Sequence, residues 1–76
     1  MNKERRKLLR QAHNSLDTAM LLTQRALNEE QDSYGNLPES IQDSEKGEAM
    51  DVCMDLLSDA IDDMASAAAM LESAIY

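Results

Sequence analysis

His13 and Cys53, the one histidine and the one cysteine of this sequence, are the side chains that could form a nucleophile and its base. Such a pair works only at hydrogen-bond distance, about 3 Å. If the chain forms two antiparallel helices, residue 13 lies opposite about residue 63, and residue 53 is about 15 Å further along. We therefore predict that the protein is not an enzyme. Cys53 is predicted to be a small buried residue, and His13 to lie at the edge of a helix interface.

A row of aspartates in the second half of the chain is the other set of side chains that could bind a ligand or take part in a reaction. Neighbours in the row follow i,i+4 spacing, where like charges cost roughly 0.2–0.5 kcal/mol per pair. One interpretation is a solvated face; the other is an acidic surface that binds the basic groove of a partner protein. The DxDxDG spacing of a calcium loop is absent, so we predict neither a metal site nor a cofactor. The row consists of Asp51, Asp55, Asp59 and Asp63, with Asp62 beside it.

The net charge of −8 is distributed unevenly over the 76 residues. Residues 1–27 have a net charge of +4, whereas residues 28–49 and 50–76 each have −6. The acidic total disfavours direct binding to nucleic acid or to anionic lipid. The longest apolar run, Ala67 to Leu71, is too short for a membrane span, and Arg10 interrupts the run that a secretion signal needs. We predict a cytoplasmic protein with no membrane or nucleic-acid partner.

Residues from about 3 to 30 show a heptad pattern without Gly or Pro, which predicts a helix. The predicted seam consists of Leu9, Ala12, Leu16, Ala19, Thr23 and Ala26. A second set repeats every seven residues beside the seam and widens the apolar stripe to that of a bundle helix. This flanking set consists of His13, Met20, Leu27 and Tyr34.

Residues from about 44 to 75 predict a second helix by the same pattern. Ser44 is its predicted N-cap, and Gly47 weakens its first turn by up to about 1 kcal/mol. One seam position holds Met50, Leu57, Met64 and Leu71, and the other holds Cys53, Ala60, Ala67 and Ala74. The flanking set consists of Met54, Ile61, Ala68 and Ile75.

Residues 31–43 connect the helices and contain the only proline. We predict that Gly35 or Asn36 ends the first helix in a left-handed conformation and that Pro38 begins a short helical turn. Connectors of this length are often functional, so this one is either a binding loop or a cap over the core. The +3 and +4 spacing of its apolar residues favours the cap. The residues concerned are Tyr34, Asn36, Leu37, Pro38, Glu39 and Ile41.

Together these elements predict an all-α fold, one domain over residues 1–76 in which two helices pack as an antiparallel hairpin. Each helix has three apolar positions per heptad, and a hairpin covers only two. A second copy would cover the surplus as a four-helix bundle, so we expect a homodimer. Antiparallel copies would bring the basic residues 3–10 of one near the acidic connector of the other. The core and dimer stripe consists of Leu9, Leu16, Met20, Leu27, Met50, Leu57, Ile61, Met64 and Leu71.

The connector and its flanks contain a distinctive motif. Its residues are Glu29-Glu30-Gln31, Tyr34, Asn36-Leu37-Pro38-Glu39-Ser40, Gln42, Ser44-Glu45 and Gly47-Glu48. With the basic start and the Leu/Ala-patterned ends, the motif resembles a group of short acidic proteins common in Gram-positive bacterial genomes and their prophages. The sequence differs from this group at Gly35, where we expect Asp, and in its Ala- and Met-rich second helix. The resemblance implies a small helical protein associated with phage and provides no catalytic residue.

Three functions fit these features. The first is a non-enzymatic protein–protein interaction module, in particular a phage-associated inhibitor or accessory factor that binds a basic host protein through the acidic face or the connector. The second is a structural component that self-assembles through its apolar stripe, with acids that only solubilise it. The third is a decoy that mimics a nucleic acid.

Overall fold

The computed structural model describes all residues, 1–76, and its regular elements are helices alone. A long helix α1 spans Lys3–Gly35, a single turn α2 spans Glu39–Gln42, and a second long helix α3 spans Glu45–Ala74. At 1.5 Å per residue, α1 and α3 are about 50 Å and 45 Å long. They pack against each other in a rod of 58 × 14 × 12 Å. The predicted all-α class is confirmed.

Helix α1 begins where the sequence predicts and continues beyond the predicted end near residue 30. Asn2 caps its start, because the side-chain Oδ1 accepts a hydrogen bond of 2.8 Å from the N–H of Arg5. The predicted left-handed end is wrong, since no residue of the chain has a positive φ. Asn36 instead keeps a helical conformation, and its N–H donates to the carbonyl of Asp32 at 3.1 Å.

The turn α2 is attached to the end of α1 through the side chain of Gln42. Its Nε2 donates to the carbonyl of Tyr34 at 3.0 Å and to that of Leu37 at 3.3 Å. Carbonyls at a helix end lack partners within the helix, so this amide group satisfies part of that deficit. Pro38 precedes α2 as its N-cap, one position earlier than predicted, and its carbonyl accepts from the N–H of Ile41 at 2.9 Å.

Helix α3 begins with a close contact between its first turn and α2. Gly47 is buried, and a methyl group at this position would overlap the backbone of Gln42, within 2.6 Å of its Cα. Glycine is therefore needed here for a reason that helix propensity does not reveal. Ser44 is the N-cap residue, as predicted, but its hydroxyl donates to the carbonyl of Ile41 instead of capping α3.

The packed faces of α1 and α3 agree with the predicted seams only in part. Ala12, Ala26, Cys53 and Ala74 were assigned to the seams but are exposed. The sets predicted to flank the seams are buried or half-buried, as are the seam residues Ala19, Ala60 and Ala67. Most of the flanking side chains are larger than alanine and bury more apolar area. The packed positions of α1 include Leu9, His13, Leu16, Ala19, Met20, Thr23, Leu27 and Tyr34. Those of α3 include Met50, Met54, Leu57, Ala60, Ile61, Met64, Ala67, Ala68, Leu71 and Ile75.

Early residues of α1 lie beside late residues of α3. Leu27 and Tyr34 line one cleft with residues 51–58, whereas His13 lines another with Glu72 and Ile75. The predicted position of His13 opposite about residue 63 is therefore wrong by roughly nine residues, because α1 is longer than predicted and the chain turns later. Since Ile75 already lies beside Arg10, most of the first two turns of α1 project past the end of α3.

Candidate interaction surfaces

All five aspartates of the predicted acidic row are exposed on α3. The ion pairs of the structure lie elsewhere, both within α1: Arg25 Nε is 3.4 Å from Glu29 Oε1, and His13 Nδ1 is 3.5 Å from Asp17 Oδ2. No cation therefore contacts the row. The acidic row consists of Asp51, Asp55, Asp59, Asp62 and Asp63.

The acidic row is not straight along the helix. Each i,i+4 step advances by about 40° around the axis, so the row from Asp51 to Asp63 winds about a third of the way around α3. Asp51 and Asp55 line the cleft beside Leu27, which has a volume of about 340 Å³. Asp63, at the other end of the row, lies on the opposite side of the helix pair formed by α1 and α3, at the same heptad position as Leu56 and Met70.

The N-terminal end of α1 is a basic surface without ion pairs. Arg10 and Glu72 line the same cleft, yet the charged groups are not within ion-pair distance of each other. The basic end therefore makes no ion pair with the C-terminal end of α3. Its residues are Lys3, Arg5, Arg6, Lys7 and Arg10.

Of the connector residues predicted to bind a partner or to cap the core, some are half-buried and the others are exposed. Tyr34 and Leu37 are half-buried, whereas Ile41 is exposed. The polar and proline positions, Asn36, Pro38 and Glu39, are exposed as well.

Sequence reasoning missed the structural importance of Gln42 and of the Gly47 contact. A glycine inside a helical pattern is a usable signal for the second, but the sequence contains no comparable signal for the first.

His13 and Cys53 are not brought together. His13 is half-buried beside Asp17 and shares a cleft with Glu72, which is nineteen residues, or about 28 Å of helix, from Cys53. The predicted burial of Cys53 is wrong, because its side chain is exposed, whereas Ala60 and Ala67 at the same heptad position are half-buried. No group of three or more His, Cys, Asp or Glu side chains is arranged to hold a metal ion. Neither long helix has a segment apolar enough to cross a membrane.

One side of the helix pair is apolar and exposed. The two clefts lie along one side, next to residues such as Leu27 and Met54. The residues one position earlier in each heptad are rotated by about 100° and, because the helices run in opposite directions, both sets lie on the other side. We call this surface the apolar side. Its exposed apolar residues are Leu8, Ala12, Leu22 and Ala26 of α1 with Ala49, Val52, Cys53, Leu56, Met70 and Ala74 of α3, and the charged residues Glu29 and Asp63 lie among them, one heptad after Leu22 and Leu56.

The apolar side contains most of the large apolar side chains that the fold leaves in water. Leu22 is 62% exposed and Leu56 is 64% exposed, and Leu8, Val52 and Met70 are similar. Exposed apolar side chains grouped on one side of a protein mark a candidate interaction site, and here Glu29 and Asp63 interrupt the group.

Comparisons with protein-family models, with curated proteins and with solved structures found no match.

Proposed function

We propose that this protein is a non-enzymatic protein–protein interaction module that binds a basic partner through the acidic row. In this proposal the chain is an antiparallel helical hairpin, pairs with a second copy as a four-helix bundle, and acts in the cytoplasm. The observation on which the function depends is that five exposed carboxylates on α3 have no cation in contact. Such a surface attracts an oppositely charged partner and accelerates its association.

The resemblance of the connector to phage-associated proteins suggests the kind of partner. An inhibitor or accessory factor would act by occupying a surface of a host machine. We therefore propose a host protein with a basic groove as the partner. The connector is the second candidate contact, since Asn36, Pro38 and Glu39 remain exposed at the end of the rod.

The test is a pull-down from host lysate with a variant in which all five aspartates of the acidic row are replaced by Asn. We expect the partner to be lost, because its basic groove no longer meets opposite charge. The matched control replaces five acids of the connector region, Glu29, Glu30, Asp32, Glu39 and Asp43, by their amides. Retention of the partner by the Asn variant and its loss from the control would contradict the acidic-row proposal and favour the connector.

A structural self-assembly component is a second candidate, favoured by the exposed apolar side. In that case light scattering would detect a discrete higher oligomer or a filament. The Asp-to-Asn variant would then retain its cellular function, because the acids would only keep the assembly soluble.

A nucleic-acid-mimicking decoy is a special form of the first proposal. The acidic row would then occupy a site that normally holds a phosphate backbone. Duplex DNA added to the pull-down would displace the protein from its partner if the decoy proposal is right, and would have no effect on a partner with an unrelated basic groove.

A further inference from the structure

The cleft beside Leu27 differs from the rest of the acidic row because it combines carboxylates with apolar and aromatic side chains. Two acids of the row, Asp51 and Asp55, line this cleft, which has a volume of about 340 Å³. Leu27, which is buried, lines it together with Met54 and Tyr34, which are half-buried. The other three aspartates of the row line neither cleft of the structure. We call this site the Leu27 cleft.

The polar side chains of the Leu27 cleft are free to pair with a ligand. Asp51 and Asp55 belong to neither ion pair of the structure. Ser58 lines the same cleft, and its hydroxyl donates to no carbonyl, unlike those of Ser15 and Thr23, which donate to the carbonyl four residues earlier. The cleft therefore contains two carboxylates one helical turn apart and a hydroxyl beside them, all unpaired within the protein.

The spacing of the two carboxylates favours a cation with donors that point in several directions. At i,i+4 spacing their Cβ atoms are about 6 Å apart, so one group placed between them can contact both. A guanidinium has several N–H donors in one plane, whereas the ammonium of lysine is a compact point of charge. The guanidinium also stacks on aromatic rings, which Tyr34 supplies here, and its methylene stem packs on apolar side chains such as Leu27 and Met54. The lining of the cleft is therefore complementary to an arginine side chain.

We propose that the Leu27 cleft binds an arginine side chain of the basic partner, and that this contact anchors the complex while the other aspartates of the row only attract the partner. This inference rests on the proposed function and specifies which part of the acidic row holds which chemical group. The side chains that anchor protein interfaces are enriched in Trp, Tyr and Arg that fill pockets, and of these three only Arg is complementary to carboxylates. Exposed ion pairs, such as those that Asp59, Asp62 and Asp63 would form, contribute little affinity.

Two peptides of equal charge test whether the cleft prefers arginine. One is a fluorescein-labelled peptide of alternating Arg and Gly, and the other has Lys in place of every Arg. Fluorescence anisotropy at one fixed salt concentration measures their dissociation constants. We expect the arginine peptide to bind about tenfold more tightly, because only a guanidinium can contact both carboxylates and stack on Tyr34. Equal affinities would overturn the inference, since charge alone would then account for binding, and so would the absence of binding by either peptide.

Two pairs of aspartates on α3 provide a matched test of the position. Asp51→Asn with Asp55→Asn removes two charges from the cleft, whereas Asp59→Asn with Asp63→Asn removes two charges at the same spacing outside it. The first pair should raise the dissociation constant of the arginine peptide by about tenfold or more and abolish the preference over lysine. The second pair should raise it by less than about threefold and leave the preference intact. Equal effects of the two pairs would overturn the inference.

The two tyrosines of the chain report on where the arginine binds. Tyr34 lines the cleft, whereas Tyr76 is 77% exposed at the other end of the rod. Because the chain contains no Phe or Trp, the ring protons of the two tyrosines are readily assigned by NMR. On titration with the arginine peptide, the ring signals of Tyr34 should shift and those of Tyr76 should not. A titration that shifts both rings equally, or that leaves Tyr34 unchanged, would overturn the inference.

These outcomes are distinguishable from failure of the proposed function. If the pull-down partner is lost from the variant that lacks all five aspartates while the protein binds both peptides equally, the proposed function stands and this inference fails. If that variant retains the partner, the proposed function fails, and the peptides still decide whether the cleft binds arginine.

Discussion

At the scale of single residues, Gly47 and Gln42 determine how the chain turns between its long helices. Gly47 costs α3 up to about 1 kcal/mol in helix propensity, yet its missing side chain allows the first turn to contact the backbone of Gln42. The Gln42 side chain in turn donates to two carbonyls at the end of α1. The two residues therefore join three helices at one point, and both belong to the connector motif.

Replacing Gly47 by alanine tests whether this contact outweighs helix propensity. Propensity alone predicts that Gly47→Ala stabilises the protein by about 1 kcal/mol. We expect the opposite, a loss of about 1–3 kcal/mol in the free energy of unfolding, because the methyl group would force α3 away from Gln42. Urea unfolding followed by circular dichroism at one fixed protein concentration measures this difference.

Gly35 provides the control for Gly47. It also lies in a helix, but a methyl group there would meet nothing within 4 Å. Gly35→Ala should therefore be neutral or stabilise the protein by up to about 1 kcal/mol. If both variants shift the unfolding midpoint in the same direction by similar amounts, the contact between α3 and Gln42 does not have the importance we assign to it.

Changing Gln42 to glutamate tests the second part of the junction with almost no change in shape. The carboxylate cannot donate to the carbonyls of Tyr34 and Leu37, and it places a negative charge beside them. We expect Gln42→Glu to lower the free energy of unfolding by about 1–3 kcal/mol. Gln11→Glu, at an exposed position of α1, is the control and should change it by less than about 0.5 kcal/mol.

At the scale of helices, the sequence predicts that two long helices exist, but it does not predict which flank of each stripe is packed. The positions of Leu9, Leu16 and Met50 on the packed faces are predictable, because these residues belong to the apolar stripe whichever of its flanks is packed. The alanines on one flank and the larger residues on the other both count as apolar in a binary pattern. The pattern therefore does not show which flank is packed unless the position at which the chain turns is also known. The contact between Gln42 and Gly47 determines where the chain turns, and the heptad periodicity contains no information about this position.

The packed flank can be tested with two leucines of α1. Leu27 is 6% exposed on the packed face, whereas Leu21 faces solvent. We expect Leu27→Ala to lower the free energy of unfolding by about 2–4 kcal/mol, since it removes buried apolar area and leaves a cavity. Leu21→Ala should have an effect below about 0.5 kcal/mol. Equal effects of the two changes in urea unfolding would mean that α1 is rotated from the described orientation.

At the scale of the whole molecule, the fold is a thin rod with very little interior. Among its large apolar side chains only Leu27 is buried, at 6% exposure, and chains of this size rarely have a core sufficient for stability on their own. A second copy would supply the missing burial. Ion pairs between basic end and acidic connector contribute only about 0–1 kcal/mol each, so they select orientation more than they add affinity. The all-α class follows from the sequence, while the rotation of both helices and their register had to come from the structure.

The solution mass of the wild-type protein, measured by light scattering during dilution at low and at high salt, tests the central claim most directly. We predict a particle of twice the 8.5 kDa chain mass that persists on dilution. It should dissociate at higher protein concentration in high salt than in low salt, because salt screens the attraction between basic and acidic ends. A stable, helical monomer at every concentration would contradict the account, since the rod would then be stable without the burial that a second copy supplies.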